Sequence, residues 1–178
     1  MAKVIPNSSW QISMACGIYC FTLIMTYVSS TFYHGIQQPK LKGALRIVDH
    51  ISIYFLIAGS YTPFIILFLQ ESWGWLLFAM LWSLVAIGIV FKLFYTHRFD
   101  LFSTIIYLIM GWMAMLWIKP IVTNSSPEAL ILLIICGLLY TGGVVFYLWH
   151  KLLYHHAIWH VFVLGGSICH YTALIISV

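Results

Sequence analysis

Histidines near the ends of apolar runs are the residues of this 178-residue sequence best suited to chemistry. His156 and His160 are four residues apart, so on a helix they share one face and can chelate one metal ion. His34 could supply a third nitrogen. Three protein ligands with one open coordination position is the pattern of a catalytic zinc site, although imidazole also suits copper, iron and nickel.

Asp49 and Ser30 are the polar residues that could act beside such a metal. Ser30 precedes His34 by four residues, so the two side chains share a helix face. The carboxylate of Asp49 could orient or deprotonate a water molecule at the metal. Together these residue types point to hydrolytic chemistry.

Simpler interpretations of the same residues stay open. Histidines at a membrane interface often do no more than place a polar group at a helix end in contact with water. We expect this for His97, His150 and His155. Asp49 could instead cap the start of a helix or pair with Arg46. Ser30 could bond back to the carbonyl one turn earlier.

His170 differs from the other histidines in its position along the chain. It follows His156 on nearly the same helix face, but roughly 20 Å further along the axis. On an unbroken helix it cannot bind the same ion. We expect a buried side chain that is hydrogen-bonded or lines a cavity.

The elements that carry these residues are long apolar runs. Hydrophobic residues make up 63% of the chain, charged residues 7%, and mean hydropathy is +1.01, whereas a soluble domain carries roughly 25% charged residues. Six runs approach the roughly 20 residues that span a bilayer: about 10–33, 50–70, 73–92, 100–118, 128–149 and 156–177. The sequence predicts an all-α integral membrane protein of six transmembrane helices, with residues 1–178 forming one domain.

Basic residues are distributed unevenly among the predicted loops. Only Lys3 and Lys119 fall on one side, and the other side holds Lys40, Lys42, Arg46, Lys92, Arg98 and Lys151. The positive-inside rule places the larger set, and with it the candidate site, at the cytoplasmic face, with both termini outside. The net charge of +4 comes from these dispersed residues, and no nucleic-acid-binding motif is present.

Three further patterns predict local structure. The cysteines lie inside apolar runs without a C-x-x-C pair, which favours buried thiols over disulfides; they are Cys16, Cys20, Cys136 and Cys169. Pro63 predicts a kink in the second span because it removes a helical hydrogen bond. Gly165 and Gly166 predict close helix packing.

The polar residues resemble those of the hemolysin III family, within the progestin and adipoQ receptor group and its wider superfamily of alkaline ceramidases and related membrane hydrolases. The matching segments cover most of the chain in the right order. They are Ser30–His34 (STFYH), Asp49 and His50 with Tyr54, Ala58–Pro63 (AGSYTP), His156–His160 (HAIWH) and His170.

This resemblance implies a seven-helix fold with a cytoplasmic amino terminus, in the inner membrane of a bacterium, and a zinc site near the cytoplasmic face. His34, His156 and His160 would be the zinc ligands. Asp49 would contact the water at the zinc ion, and Ser30 would assist it.

The chain departs from the family pattern at its amino terminus. Family members have a helix before the Ser-x-x-x-His span, and only about nine residues precede that span here. We expect either a shortened form, with the first helix absent, or a start that is assigned too late. Lipid or a neighbouring chain, as in a homo-oligomer, would fill the gap left in the ring.

These residues are compatible with three functions. The favoured one is a zinc-dependent intramembrane hydrolase of a lipid amide or ester, in which Asp49 takes a proton and a membrane lipid is the substrate. In a receptor-like sensor of membrane homeostasis, zinc would be structural and would tie spans 1 and 6 together. A pore-forming hemolysin is less favoured, because no span carries a polar stripe along its full length.

Overall fold

The fold is described from a computed structural model, which covers residues 9–69, 73–95 and 100–178. In these ranges every regular element is helical, and six helices are long and apolar enough to cross a membrane. The prediction of an all-α, multi-pass membrane protein is therefore confirmed. The six candidate spans are Trp10–Gly35, Pro39–Leu69, Gly74–Tyr95, Asp100–Asn124, Pro127–Leu148 and His155–Ile175.

Within the described ranges, α-helices and two short segments of other helix types make up these spans. The α-helices are α1 (Ser9–Gly35), α2 (Pro39–Phe64), α3 (Gly74–Tyr95), α4 (Asp100–Trp112), α5 (Ile118–Asn124), α6 (Pro127–Leu148) and α7 (His155–Ile175). A π-helical turn, Ile65–Leu69, extends α2, and a 3₁₀ turn, Met113–Trp117, joins α4 to α5.

Helix α2 begins earlier in the chain than the sequence predicted. Pro39 stands in its first turn, where a missing N–H costs nothing, and Gln38 is the N-cap residue. Asp49 and His50 therefore lie inside the helix, and the interpretation of Asp49 as a cap is wrong. The hydropathy pattern of the sequence identifies only the apolar part of α2, but the polar first turns of this helix are helical as well.

Pro63 changes the helix type without ending the helix. It lies inside α2, and the π-helical turn starts two residues later, at Ile65. Proline lacks an N–H and crowds the carbonyl four residues earlier, so the regular hydrogen-bond pattern cannot continue unchanged. The irregularity predicted for this part of the second span takes the form of a π-turn.

The described residues fall into two compact units, which we call the N-terminal unit (the described residues from 9 to 113) and the C-terminal unit (Ala114–Val178). The boundary lies inside the 3₁₀ turn of the fourth span. The single transmembrane domain expected from the sequence stays a prediction.

Small residues and hydroxyl groups hold the N-terminal unit together. Gly88 of α3 lies against the ring of Tyr54 on α2, so closely that a Cβ atom at this position would come within 2.7 Å of the ring. Helices α1 and α2 share hydrogen bonds: Thr26 donates to the carbonyl of Ser52 at 3.0 Å, and Ser29 donates to its hydroxyl at 3.1 Å. In a lipid environment such close packing and interhelical hydrogen bonds replace the hydrophobic effect.

The C-terminal unit packs α6 against α7 in the same way. The hydroxyls of Tyr140 on α6 and Ser167 on α7 lie 2.9 Å apart in a hydrogen bond. A Cβ atom added at Gly166 would come within 3.0 Å of the Tyr140 ring. The close packing predicted for Gly165 and Gly166 is confirmed.

Candidate functional site

The C-terminal unit brings His156 and His160 together on the first two turns of α7. Their Nε2 atoms lie 3.2 Å apart, and their ring centres are 4.8 Å apart with the planes nearly perpendicular, at 84°. Both side chains are half-buried. The four-residue spacing therefore places the two basic nitrogens at one point, as the sequence predicted.

This separation suits a shared metal ion. Two imidazoles on a tetrahedral zinc ion, with Zn–N distances of about 2.0–2.1 Å, hold their nitrogens about 3.3 Å apart. The same separation also fits a hydrogen bond between one protonated and one unprotonated Nε2. The pair is thus compatible with zinc binding by its geometry and by its donor type.

The N-terminal unit brings Ser30 and Asp49 together across α1 and α2. The Ser30 hydroxyl lies within hydrogen-bonding range of the Asp49 carboxylate. That carboxylate is only 15% exposed, and the Nδ1 atom of His50 lies 3.9 Å from it. A half-buried carboxylate with a hydroxyl group beside it is placed to exchange protons.

His34 stands at the carboxyl end of α1 with an exposed side chain. Its ring meets that of Tyr33 edge-on, with the centres 4.8 Å apart. The Gln37 side chain donates a 2.9 Å hydrogen bond to the His34 carbonyl and so closes the end of the helix. His34 belongs to the N-terminal unit and the histidine pair to the C-terminal unit, so the three-ligand site stays a prediction.

Sequence reasoning missed a network of charged side chains in the N-terminal unit. Asp100, at the start of α4, binds Arg46 of α2 at 2.6 Å and Lys92 of α3 at 3.3 Å. The Nε2 atom of His50 lies 4.0 Å from the same carboxylate. The available signal was that Asp100 is a lone acid at the start of an apolar run, in a chain with only four acidic residues.

The network changes the interpretation of two basic residues. The charge pattern predicts Lys92 in a loop, but it lies on α3 with its side chain fully buried. Arg46 lies inside α2, close in sequence to Asp49. Its guanidinium pairs with the carboxylate of Asp100. Both cations therefore have a packing role within the unit, in addition to any role in topology.

The predicted burial of His170 and the absence of disulfides among the cysteines agree with the described residues, whereas His97 lies outside them. His170 is buried, with 8% of its surface exposed. The cysteines are free thiols; Cys136 is buried, and the partly buried ones are Cys16, Cys20 and Cys169.

An apolar groove opens on the N-terminal unit among α1, α2 and α3. It has a volume of about 390 Å³, and its lining includes Phe21, Thr22, Phe55 and Trp82. Thr22 precedes Ser30 by eight residues on α1, which corresponds to about 12 Å along the helix axis. The groove and the Ser30–Asp49 pair thus lie along the same helix.

The helices and their polar residues define a multi-pass α-helical membrane protein with clustered histidine and carboxylate side chains. The profile of the Haemolysin-III related family matches residues 1–171, and the chain belongs to this family. This confirms the resemblance found in the sequence.

Curated relatives extend the likeness across most of the chain. A hemolysin-3 homolog of Bacillus subtilis (strain 168) is 45% identical over 161 residues, which is 90% of this chain and 75% of the relative. Hemolysin-3 of Bacillus cereus is 45% identical over 154 residues, 86% of this chain and 70% of the relative. The monocyte to macrophage differentiation factor of Homo sapiens is 28% identical over 180 residues, 96% of this chain and 72% of the relative. No solved structure matches the chain.

Proposed function

We propose that this hemolysin III family protein is a zinc-dependent intramembrane hydrolase of a lipid amide or ester. The observation that carries the proposal is the 3.2 Å separation of the His156 and His160 Nε2 atoms, which suits a shared zinc ion. His34 is the proposed third ligand, as the resemblance to the family implies. Zinc, when bound, would polarise the carbonyl and lower the pKa of water toward about 7.

Asp49 is the proposed general base. Its carboxylate would accept a proton from the attacking water and later return it to the leaving amine or alcohol. The Ser30 hydroxyl, which lies close to that carboxylate, would hold it in position. The burial of the Asp49 side chain, at 15% exposure, supports this role because limited solvent access strengthens local electrostatic interactions.

The apolar groove supports a substrate with an acyl tail. A lipid whose amide or ester lies beside Ser30 and Asp49 could run its chain along α1 toward Phe21 and Trp82. Such a substrate would arrive laterally from the bilayer. We place the site near the cytoplasmic face of a bacterial inner membrane, on the basis of the loop charges and the bacterial relatives.

The test uses the purified full-length chain in detergent with a panel of synthetic ceramides and fatty acyl esters. Wild type is expected to release fatty acid, and Asp49→Asn to keep its zinc while losing product formation by roughly 10²–10⁴-fold. Glu128→Gln is the matched control, since it removes an exposed carboxylate at the start of α6. Absence of product across the panel from zinc-loaded wild type would reject the hydrolase.

A structural zinc site is the other outcome that this experiment can reveal. In a membrane-homeostasis sensor, Asp49→Asn would change nothing measurable, whereas removal of zinc would lower the unfolding temperature.

Cytolysis is a second candidate, favoured only by the names of the two bacillus relatives. Release of a trapped dye from pure lipid vesicles by the purified protein would support it. Retention of the dye at protein levels that incorporate fully into the vesicles would count against it.

A further inference from the structure

The turn before α7 holds a second pair of histidines that the proposed hydrolase site does not use. His150 lies in this turn, and His155 is the first residue of α7. Their ring centres are 5.4 Å apart. Sequence reasoning assigned both to ordinary solvation of the membrane interface, but their hydrogen bonds indicate a more specific role.

Both rings are held by main-chain carbonyls. The Nδ1 atom of His150 lies 2.8 Å from the Leu148 carbonyl, and that of His155 lies 3.2 Å from the Phe146 carbonyl. A carbonyl oxygen can only accept, so each Nδ1 carries the hydrogen and each Nε2 is left as the basic nitrogen. Among the described residues, neither Nε2 takes part in a hydrogen bond.

This arrangement is the one that metal-binding histidines adopt. A ligating histidine almost always donates its second ring N–H to a carbonyl, carboxylate or water, which sets the tautomer and the ring orientation. Two imidazoles that share a zinc ion at about 2.0–2.1 Å have ring centres roughly 5 Å apart. The 5.4 Å separation of His150 and His155 is compatible with such sharing.

The backbone of the turn is strained in a way that supports this geometry. Tyr154, the residue before His155, has φ 60° and ψ 19°, a left-handed conformation that costs a non-glycine residue free energy. Strained residues of this kind concentrate at functional sites. Here the conformation reverses the chain so that the first residue of α7 returns to the end of α6.

The second pair adjoins the first. The rings of His155 and His156 have their centres 6.2 Å apart, and the His156 and His160 rings follow at 4.8 Å. Four histidines of the C-terminal unit thus form a series from the exposed His150 to the half-buried His160. Neighbouring rings of the series thus have their centres between 4.8 and 6.2 Å apart.

We propose that His150 and His155 form an outer divalent transition-metal site that captures zinc from solvent and delivers it to His156 and His160. This inference rests on the proposed function for its inner site. Each step of the delivery forms one metal–nitrogen bond and breaks one, and the oxidation state of the metal does not change. The outer site binds more weakly because it offers two protein nitrogens and is open to water.

The first test compares loading rate with equilibrium binding. Full-length protein, stripped of metal, is mixed with Zn²⁺ in the presence of a zinc indicator. The double substitution His150→Gln with His155→Gln is expected to slow loading by about tenfold, the order of magnitude that loss of a group supporting a metal site typically costs, and to leave the equilibrium affinity of the inner site unchanged. Loading at the wild-type rate would overturn the proposal.

Two control variants accompany the double substitution in this loading experiment. Lys151→Gln changes an exposed residue of the same turn and is expected not to slow loading. The single substitution His150→Gln affects an exposed side chain, so it should fold even if the double variant does not. It is expected to show slower loading by itself.

The second test separates the outer site from the inner one. In protein carrying His156→Ala and His160→Ala, a weak Zn²⁺ site is expected to remain and to disappear when the outer pair is also replaced. A weak site that survives replacement of His150 and His155 would overturn the proposal. Wild type that binds Zn²⁺ only through His150 and His155 would have no zinc site at His156 and His160. This result would overturn both the proposed hydrolase and the delivery of zinc to it, whereas zinc binding by the outer pair would be supported.

Discussion

Arg46 and Asp100 form an ion pair with 2.6 Å between Nη2 and Oδ2, although 54 residues separate them in the sequence. The same carboxylate lies 3.3 Å from the ammonium of Lys92, whose side chain is fully buried. One carboxylate therefore compensates two cations on two other helices. Its loss would remove this shared partner from the buried Lys92 and from the partly exposed Arg46.

Asp100→Asn is accordingly expected to destabilise the protein. The loss of a hydrogen bond between charged groups costs roughly 1.5–3 kcal/mol, which corresponds to a fall of several degrees in the thermal midpoint for a chain of this size. Tryptophan fluorescence during thermal unfolding in detergent would measure it. Combining Asp100→Asn with Lys92→Met should recover part of the loss, and an unchanged midpoint in Asp100→Asn would contradict the prediction.

Gly88→Ala is expected to destabilise the N-terminal unit. The added Cβ atom would come within 2.7 Å of the Tyr54 ring, which is itself fully buried and cannot move aside easily. Overpacking of this kind costs roughly 1–3 kcal/mol. Gly17→Ala is the matched control, because a Cβ atom there meets nothing within 4 Å; it should be neutral, or stabilising by up to about 1 kcal/mol. Equal thermal midpoints for the two variants would show that the Tyr54 contact is not tight.

His156→Ala and His160→Ala are each expected to lower the zinc content of the purified protein, whereas His170→Asn should retain it. The 3.2 Å pair acts as a chelate, so removal of either nitrogen weakens the site. His170 lies roughly 20 Å beyond His156 and about 15 Å beyond His160 along α7, so it cannot contact the same ion. Elemental analysis of folded protein after size-exclusion chromatography gives the zinc stoichiometry. Full zinc occupancy in His156→Ala would show that the metal does not bind at the pair of His156 and His160.

Ser30→Ala is expected to slow lipid hydrolysis without loss of zinc. Its hydroxyl lies within hydrogen-bonding range of the Asp49 carboxylate, and removal of such a supporting hydrogen bond costs about tenfold or more. Thr31→Val is the neighbouring control, because the Thr31 hydroxyl is exposed and donates to the Tyr27 carbonyl at 2.7 Å. The readout is the turnover number on the best lipid of the panel. A Ser30→Ala variant as active as Thr31→Val would show that Ser30 does not contribute to hydrolysis.

Much of the fold could be predicted because lipid imposes simple rules on a chain. Apolar runs of sufficient length must be helical, since each backbone N–H and C=O has to bond within its own segment. The six spans follow from this rule. The start of α2 did not follow, because its first turns from Pro39 onward are polar and give no hydropathy signal.

Part of the candidate site could be predicted for a similar reason. A helix repeats every 3.6 residues, so residues four apart are neighbours whatever surrounds them, and His156 and His160 meet through this local rule alone. The pairing of Ser30 with Asp49 joins two helices and depends on how α1 and α2 are rotated against each other. No local pattern specifies that rotation.

By itself, then, the amino-acid sequence determined the number of spans, the histidine pair on α7 and the membership of a family of membrane proteins. Tertiary structure alone decided that Asp100 pairs with Arg46 and Lys92, that Gly88 receives the Tyr54 ring, and that a left-handed turn sets His150 beside His155. Helical periodicity relates residues a few positions apart, whereas contacts between helices depend on packing over the whole surface of each helix, which no short stretch of sequence contains.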